Sequence, residues 1–157
     1  MGSNVGDRPG HLKAALEMLP RHGVEVEAVS SAYETEPVGE ITAQPEFLNA
    51  CARIRTSLEP EALLDVCKAI EIQRGRTLGP RHGPRPLDVD ILLLGEIEME
   101  GERLALPHRD LGNRRFVLEP LLELEPGLRL PDGTSLAECL QALPDGEQRV
   151  RQAGPLL

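Results

Sequence analysis

Apolar positions recur along this chain at two spacings, and the alternation between them predicts its elements. Leu12, Leu16 and Leu19 repeat at helical spacing behind Asp7, a good N-cap, and the stretch ends by Gly23. "VEVEAVSSAY" (24–33) alternates instead, which predicts a strand, and a second strand is expected over 47–56. Between them lies the loop "TEPVGEITAQPE". Pro60 opens a second helix, with Leu63, Val66, Cys67 and Ile70 as its buried stripe. "RTLGPRHGPRP" (76–86) carries two Gly and three Pro and is expected to be an exposed loop. A strand over 88–95 follows, then a hairpin through 100–101 to Leu106 and a short helix over 114–124. "PDGT" (131–134) turns the chain into a final short helix, and 144–157 reads as a loose tail. Helices alternating with strands, some in hairpins, predict an α+β sandwich with helices on one face of a mixed sheet. One domain over 1–143 and a tail over 144–157 are expected.

At 157 residues the chain is long enough to bury a core. Its longest apolar run, 91–94, is far too short to span a bilayer, and no charged start leads into an apolar segment, so neither membrane nor export is expected. Cys51, Cys67 and Cys139 are scattered, as reduced thiols of a cytoplasmic protein would be.

The net charge of −9 argues against a nucleic-acid partner. Its distribution says more. Of 17 Lys and Arg, eight are arginines within 74–85 and 103–115, and no acidic residue falls between 73 and 87. Guanidinium groups match phosphate or carboxylate oxygens two at a time, so such clustering points to a compact anion; a solvated loop is the plainer account.

"GPRPLDVDILLLG" (83–95) places Asp88 and Asp90 at the mouth of an apolar run. On a strand, residues two apart share a face, and paired carboxylates repel unless a cation intervenes. Mg²⁺ takes one or two carboxylates plus phosphate and water oxygens. The plainer alternative has Asp88 at a strand end and Asp90 paired with an arginine of the preceding loop. Arg85, three residues before Asp88, favours the metal: cation plus guanidinium is equipment for phosphoryl transfer. His108 and Arg109 in "LPHRDLGNRR" could meet the same anion or lie on the surface. Asn49 shares a strand face with Phe47 and could read a flat heterocycle by edge and face, or simply satisfy backbone. Phe47, Phe116 and Tyr33 are the only aromatics.

Four segments together, "GSNVGDR" (2–8), "YETEPVG…QPEFLNA" (33–50), "RHGPRPLDVDILLLG" (81–95) and "LPHRDLGNRRFVLEPLLE" (106–123), resemble the 6-hydroxymethyl-7,8-dihydropterin pyrophosphokinase family of folate biosynthesis. The resemblance extends to about residue 143. It implies a ferredoxin-like α+β sandwich and transfer of pyrophosphate from ATP to the pterin hydroxymethyl, with release of AMP and attack on the β-phosphorus. By the same route Asp88 and Asp90 would hold two Mg²⁺ ions, with Arg85 and Arg76 on the phosphates. Lys68, Glu71, Ile91, Arg103, Leu104, His108 and Arg114 fall where the family contacts or supports ATP. Asn49 would read the pterin edge, Phe47 and Phe116 would sandwich its ring, and Thr35 and Val38 would complete the pocket. A monomer is expected, with ATP and the pterin as its only partners.

The chain departs from the family at three places. His82 stands where an aromatic often precedes G-P-R, and Lys68 where a neutral amide can occur. The family's G-S-N follows an apolar strand, whereas Met1 here directly precedes Gly2, so the first strand is expected to be missing. A late start site would account for this, and upstream codons would then refill the sheet. The rival readings are a D-x-D nucleotidyl- or glycosyltransferase and a non-catalytic ferredoxin-like module. The first needs a larger sugar-nucleotide domain; the second has no need of Asp88, Asp90 and Arg85 together.

Overall fold

The computed structural model describes residues 1–38, 43–76 and 83–157. Gly2–Ser3 form β1, so the strand expected to be missing is present as two residues paired with 48–49. Helix α1 (Arg8–Met18) begins where expected, with Asp7 Oδ1 accepting the Gly10 N–H at 3.1 Å. A 3₁₀ turn over Leu19–His22 leads to Gly23, whose φ of 81° ends the element in the left-handed region that glycine tolerates.

The strand expected over 24–33 is two strands, β2 (Val24–Val29) and β3 (Ser31–Thr35), and that over 47–56 is also two, β4 (Phe47–Asn49) and β5 (Ala52–Thr56). Both breaks have one cause. The Ser30 hydroxyl accepts the Cys51 N–H at 2.9 Å and donates to the Ser31 carbonyl at 2.8 Å. A side chain thus takes a backbone group that a continuous ladder would use. β2 pairs with β5 in one sheet, while β1, β4, β3 and β8 (Val150–Pro155) form the other in that order; every named strand pair is antiparallel. The tail expected to be loose therefore carries an edge strand, held by the β3 backbone rather than by an apolar pattern of its own.

Helix α2 (Pro60–Gln73) buries Leu63, Leu64, Cys67 and Ile70. The hairpin is β6 (Met99–Glu100) with β7 (Ala105–Leu106), followed by α3 (Arg115–Leu124) and α4 (Leu136–Ala142), the latter capped by Ser135. Helices cover both faces of the β3–β4 sheet, not one. Ala32 and Leu48 enter the main core with Leu12, Leu16, Leu63 and Ile70, whereas Tyr33, the next residue on β3, donates its hydroxyl to Glu123 of α3 at 2.6 Å. Successive strand residues face opposite ways, so α3 lies across the sheet from α1 and α2. A second core joins Leu111, Leu118 and Leu136. Among the described residues no helix is long and apolar enough to cross a membrane. The architecture is α+β, as the pattern predicts.

Residues 88–95 are not a strand. Only Asp88 bridges, to Gly2. Beyond that bridge, residues 89–95 and 51–54 form facing walls of an apolar groove of about 1270 Å³, with Met1 at its end.

Candidate active site

Backbone bonds on both sides of Gly2 position the key segment. The Gly2 N–H donates to the Asp88 carbonyl at 2.9 Å and the Asp88 N–H returns a bond at 2.8 Å. From there burial alternates: Leu87, Val89 and Ile91 enter the core, Asp88 is half-buried and Asp90 is exposed. The shared side expected of the two carboxylates thus survives without a strand, because extended backbone alone supplies the two-residue period.

The two carboxylates differ in their company. Arg85 Nε donates to Asp88 Oδ2 at 2.7 Å, and Arg76 Nη1 donates to Asp88 Oδ1. Burial by itself would raise the Asp88 pKa, but Arg85 and Arg76 overcome it and hold the carboxyl below its usual range. Asp90 has no hydrogen bond or ion pair to any described residue. Behind Asp88 sits Glu71, only 2% exposed, which accepts the Val89 N–H at 2.8 Å and lies 3.3 Å from Arg76 Nη1 and 3.5 Å from Lys68 Nζ. Burial pushes Glu71 upward, against the Val89 bond and the cations beside it. Cation and carboxylate therefore alternate from Lys68 through Glu71, Arg76 and Asp88 to Arg85.

Two clefts open on this row. The smaller, of about 680 Å³, is lined by Thr35, Val38, Phe47, Asn49 and Phe116. The larger, of about 1340 Å³, is lined by Lys68, Arg76, Ile91, Arg103, Leu104 and His108. Arg85, Asp88, Asp90 and Arg114 line both and form their common wall. In the smaller cleft Asn49 Nδ2 donates to Thr35 Oγ1 at 2.7 Å, and the Arg85 guanidinium lies 4.7 Å from the centre of the Phe47 ring. Arg114 lies 5.7 Å from the Phe116 ring and donates to Asp110 Oδ2 at 2.9 Å. In the larger cleft His108 is oriented by its backbone N–H on the Leu92 carbonyl at 2.7 Å and by Nδ1 accepting the Asp110 N–H at 3.1 Å.

The common wall suits a hard divalent cation. Asp88 is held ionised, and Asp90 has no hydrogen bond or ion pair among the described residues; both stand where the two clefts meet. The described residues hold no cluster of three or more His, Cys, Asp or Glu, so further ligands would be substrate or water oxygens, which is how Mg²⁺ is commonly bound.

A family model described as 7,8-dihydro-6-hydroxymethylpterin-pyrophosphokinase matches residues 1–126. The chain belongs to that family. Over 152 residues it is 43% identical to the 2-amino-4-hydroxy-6-hydroxymethyldihydropteridine pyrophosphokinase of Pseudomonas aeruginosa, covering 96% of this chain and 93% of that one. The protein of the same name from Methylorubrum extorquens is 43% identical over 152 residues, 96% of this chain and 95% of its own. That from Bacillus subtilis is 46% identical over 125 residues, 79% of this chain and 74% of its own.

For this member of the pyrophosphokinase family, the fold gathers nearly all the residues that the sequence singles out. The five expected pterin residues share one cleft, and the expected ATP residues share the other except Glu71, which stands behind the wall and supports Val89 and Arg76. Arg103 lies at the cleft margin on Asp65, at 2.6 Å. His82 lies outside the described residues. Sequence reasoning gave no role to Asn4 or Glu36. Asn4 is 3% exposed and joins three loops; its place in "GSN" was the available signal. Glu36 lines the smaller cleft, and nothing in its spacing marks it.

Proposed function

We propose that this chain transfers pyrophosphate from ATP to 6-hydroxymethyl-7,8-dihydropterin, giving the pterin diphosphate and AMP in folate synthesis. The reading rests on one observation beside the family: two clefts of different character share a single wall of two carboxylates and two guanidiniums. The smaller cleft takes the pterin, with Asn49 on its polar edge and Phe47 and Phe116 beside its ring. The larger takes ATP, its triphosphate toward Arg76, Arg85 and Arg114. The pterin hydroxyl and the β-phosphorus then meet at the wall, and holding both there removes much of the entropic barrier.

Asp88 and Asp90 would hold two Mg²⁺ ions, which when bound neutralise phosphate charge and activate the hydroxyl. Arg76 and Arg85 keep Asp88 ionised for that task and offer planar donors to phosphate oxygens. Glu71 keeps Arg76 in place. The named residues of both clefts come from one chain, and the protein is proposed to act as a monomer. Cys51 and Cys67 are buried free thiols, pushed up to about 11 chiefly by burial, and they support a cytoplasmic setting.

The test is incubation with ATP, Mg²⁺ and the pterin. AMP formed only when the pterin is present bears the reading out; ADP, or no turnover, overturns it.

A further inference from the structure

Two consecutive residues outside both clefts bond to two separate segments that line the smaller one. Gln148 and Arg149 lead into β8, beyond the 1–126 span of the family match. Gln148 is the only described non-glycine residue with positive φ, at 53°, a conformation that costs energy and persists only where surroundings enforce it. Its side chain accepts the Arg115 N–H at 2.8 Å and donates to the Asn113 carbonyl at 3.0 Å. α3 has no side-chain cap from its own N-cap residue, so Gln148 satisfies a helix N-terminal N–H from far along the chain. The bond falls between Arg114 and Phe116, which both line the cleft.

Arg149 takes the other segment. Its N–H donates to Glu36 Oε1 at 2.6 Å, its carbonyl accepts the Glu36 N–H at 3.1 Å, and its guanidinium reaches Glu36 at 3.3 Å and Glu46 at 3.9 Å. Glu36 lines the cleft, and Glu46 precedes Phe47 at the far end of the same loop. The Arg149 N–H and guanidinium hold the Glu36 carboxyl below its usual range.

We infer that Gln148 and Arg149 form a strut that sets the width of the smaller cleft and are positioning residues for the pterin. The inference rests on the functional reading above. Gln148 flanks Arg114, which both clefts share, but makes no bond to its side chain. Among the described residues the Arg149 side chain bonds only Glu36 and Glu46, of which Glu36 lines the smaller cleft alone; the strut therefore bears on the pterin more than on ATP. Its ion pairs are largely exposed, with Arg149 74% accessible, and contribute little to stability. Its effect is on geometry, where small misplacements are costly.

The experiment measures binding of 6-hydroxymethylpterin, with a non-hydrolysable ATP analogue and Mg²⁺ saturating, to wild type and to Gln148→Ala/Arg149→Ala, and separately the binding of the analogue. The double variant is expected to bind the pterin about tenfold more weakly and the analogue within about twofold, with Tm within about 2 °C. Gln148→Glu keeps the acceptor for Arg115 N–H and should bind the pterin more tightly than Gln148→Ala. Pterin affinity within about twofold of wild type in the double variant overturns the strut, as does equal weakening of both ligands with a falling Tm. Wild type that binds no pterin overturns the functional reading itself; wild-type binding with unchanged variants overturns the strut alone.

Discussion

Asn4 and Arg85 hold each other through two hydrogen bonds: the Asn4 N–H donates to the Arg85 carbonyl at 3.2 Å, and the Arg85 N–H donates to Asn4 Oδ1 at 2.9 Å. The same Asn4 amide donates to Gln44 Oε1 at 2.8 Å and to the Pro45 carbonyl at 3.0 Å. One buried side chain therefore ties the first loop to the arginine loop and to the loop before β4. Asn4→Ala would strand these groups, and a loss of about 2 kcal/mol is expected for a junction of this kind. Thermal melts should show it, and AMP release should fall at least about tenfold as Arg85 loses its anchor. Wild-type Tm in the variant would show that the junction carries no weight.

Asp88 and Asp90, alike in sequence, should separate on mutation. Among the described residues Asp90 has no hydrogen bond or ion pair to lose, so Asp90→Asn should leave stability within about 0.5 kcal/mol while turnover drops by orders of magnitude. Asp88→Asn leaves Arg76 and Arg85 without their counter-ion and should cost about 1–3 kcal/mol at pH 7 as well as activity.

The pH dependence follows from the direction of the Asp88 shift. A depressed carboxyl stabilises the fold above its unfolded pKa of about 3.9, and that contribution is lost as pH falls through the folded value. The gap in Tm between wild type and Asp88→Asn should therefore close as acid is added below about pH 4. Glu71 works in the opposite sense. Its raised pKa means that ionisation weakens the fold as pH climbs above the usual carboxylate range. A gap that stays constant down to the acid limit would contradict the arginine pairing.

Gly2 makes room for Asn49. A Cβ at residue 2 would sit 2.3 Å from Asn49 Oδ1, so Gly2→Ala must turn that amide away from its place beside Thr35. The expected result is a KM for the pterin raised about tenfold, with KM for ATP little changed. Steady-state kinetics with each substrate varied in turn would decide it, and equal changes in both would count against Asn49 as the pterin reader.

The apolar groove between 51–54 and 89–95 continues the line of β1. Met1 pairs with Ala50, its N-terminal nitrogen donating to the Ala50 carbonyl at 2.9 Å and its carbonyl accepting the Ala50 N–H at 3.0 Å. A short β-branched segment fused ahead of Met1 should run along the groove and pair with both walls. A gain of roughly 2 kcal/mol, or about 5 °C in Tm, is the expected scale. Equal melting with and without the segment would refute it.

Helix starts and core stripes were legible because their causes are local: Asp7 caps its own helix, Pro60 opens its own, and Leu63, Cys67 and Ile70 repeat at helical spacing. Side-by-side projection of Asp88 and Asp90 was legible because it needs only extended backbone. Features decided by distant partners were not. The strand breaks depend on Ser30 meeting Cys51, the β8 strand on β3, and the one bridge of Asp88 on Gly2. The resemblance puts Glu71 on the ATP side, but its burial behind Asp88 depends on the distant Val89 N–H that it accepts.

The common wall also makes the two clefts thermodynamically dependent. Arg85 covers Phe47 on one side and faces the larger cleft on the other, and Arg114 does the same beside Phe116. On the proposed reading, a ligand entering either cleft acts on the same guanidiniums and carboxylates, so its binding would alter the affinity of the other cleft. By linkage the factor is equal in both directions. Inhibitors of the two clefts should therefore be assayed as pairs, because the potency of each depends on how far the other is filled.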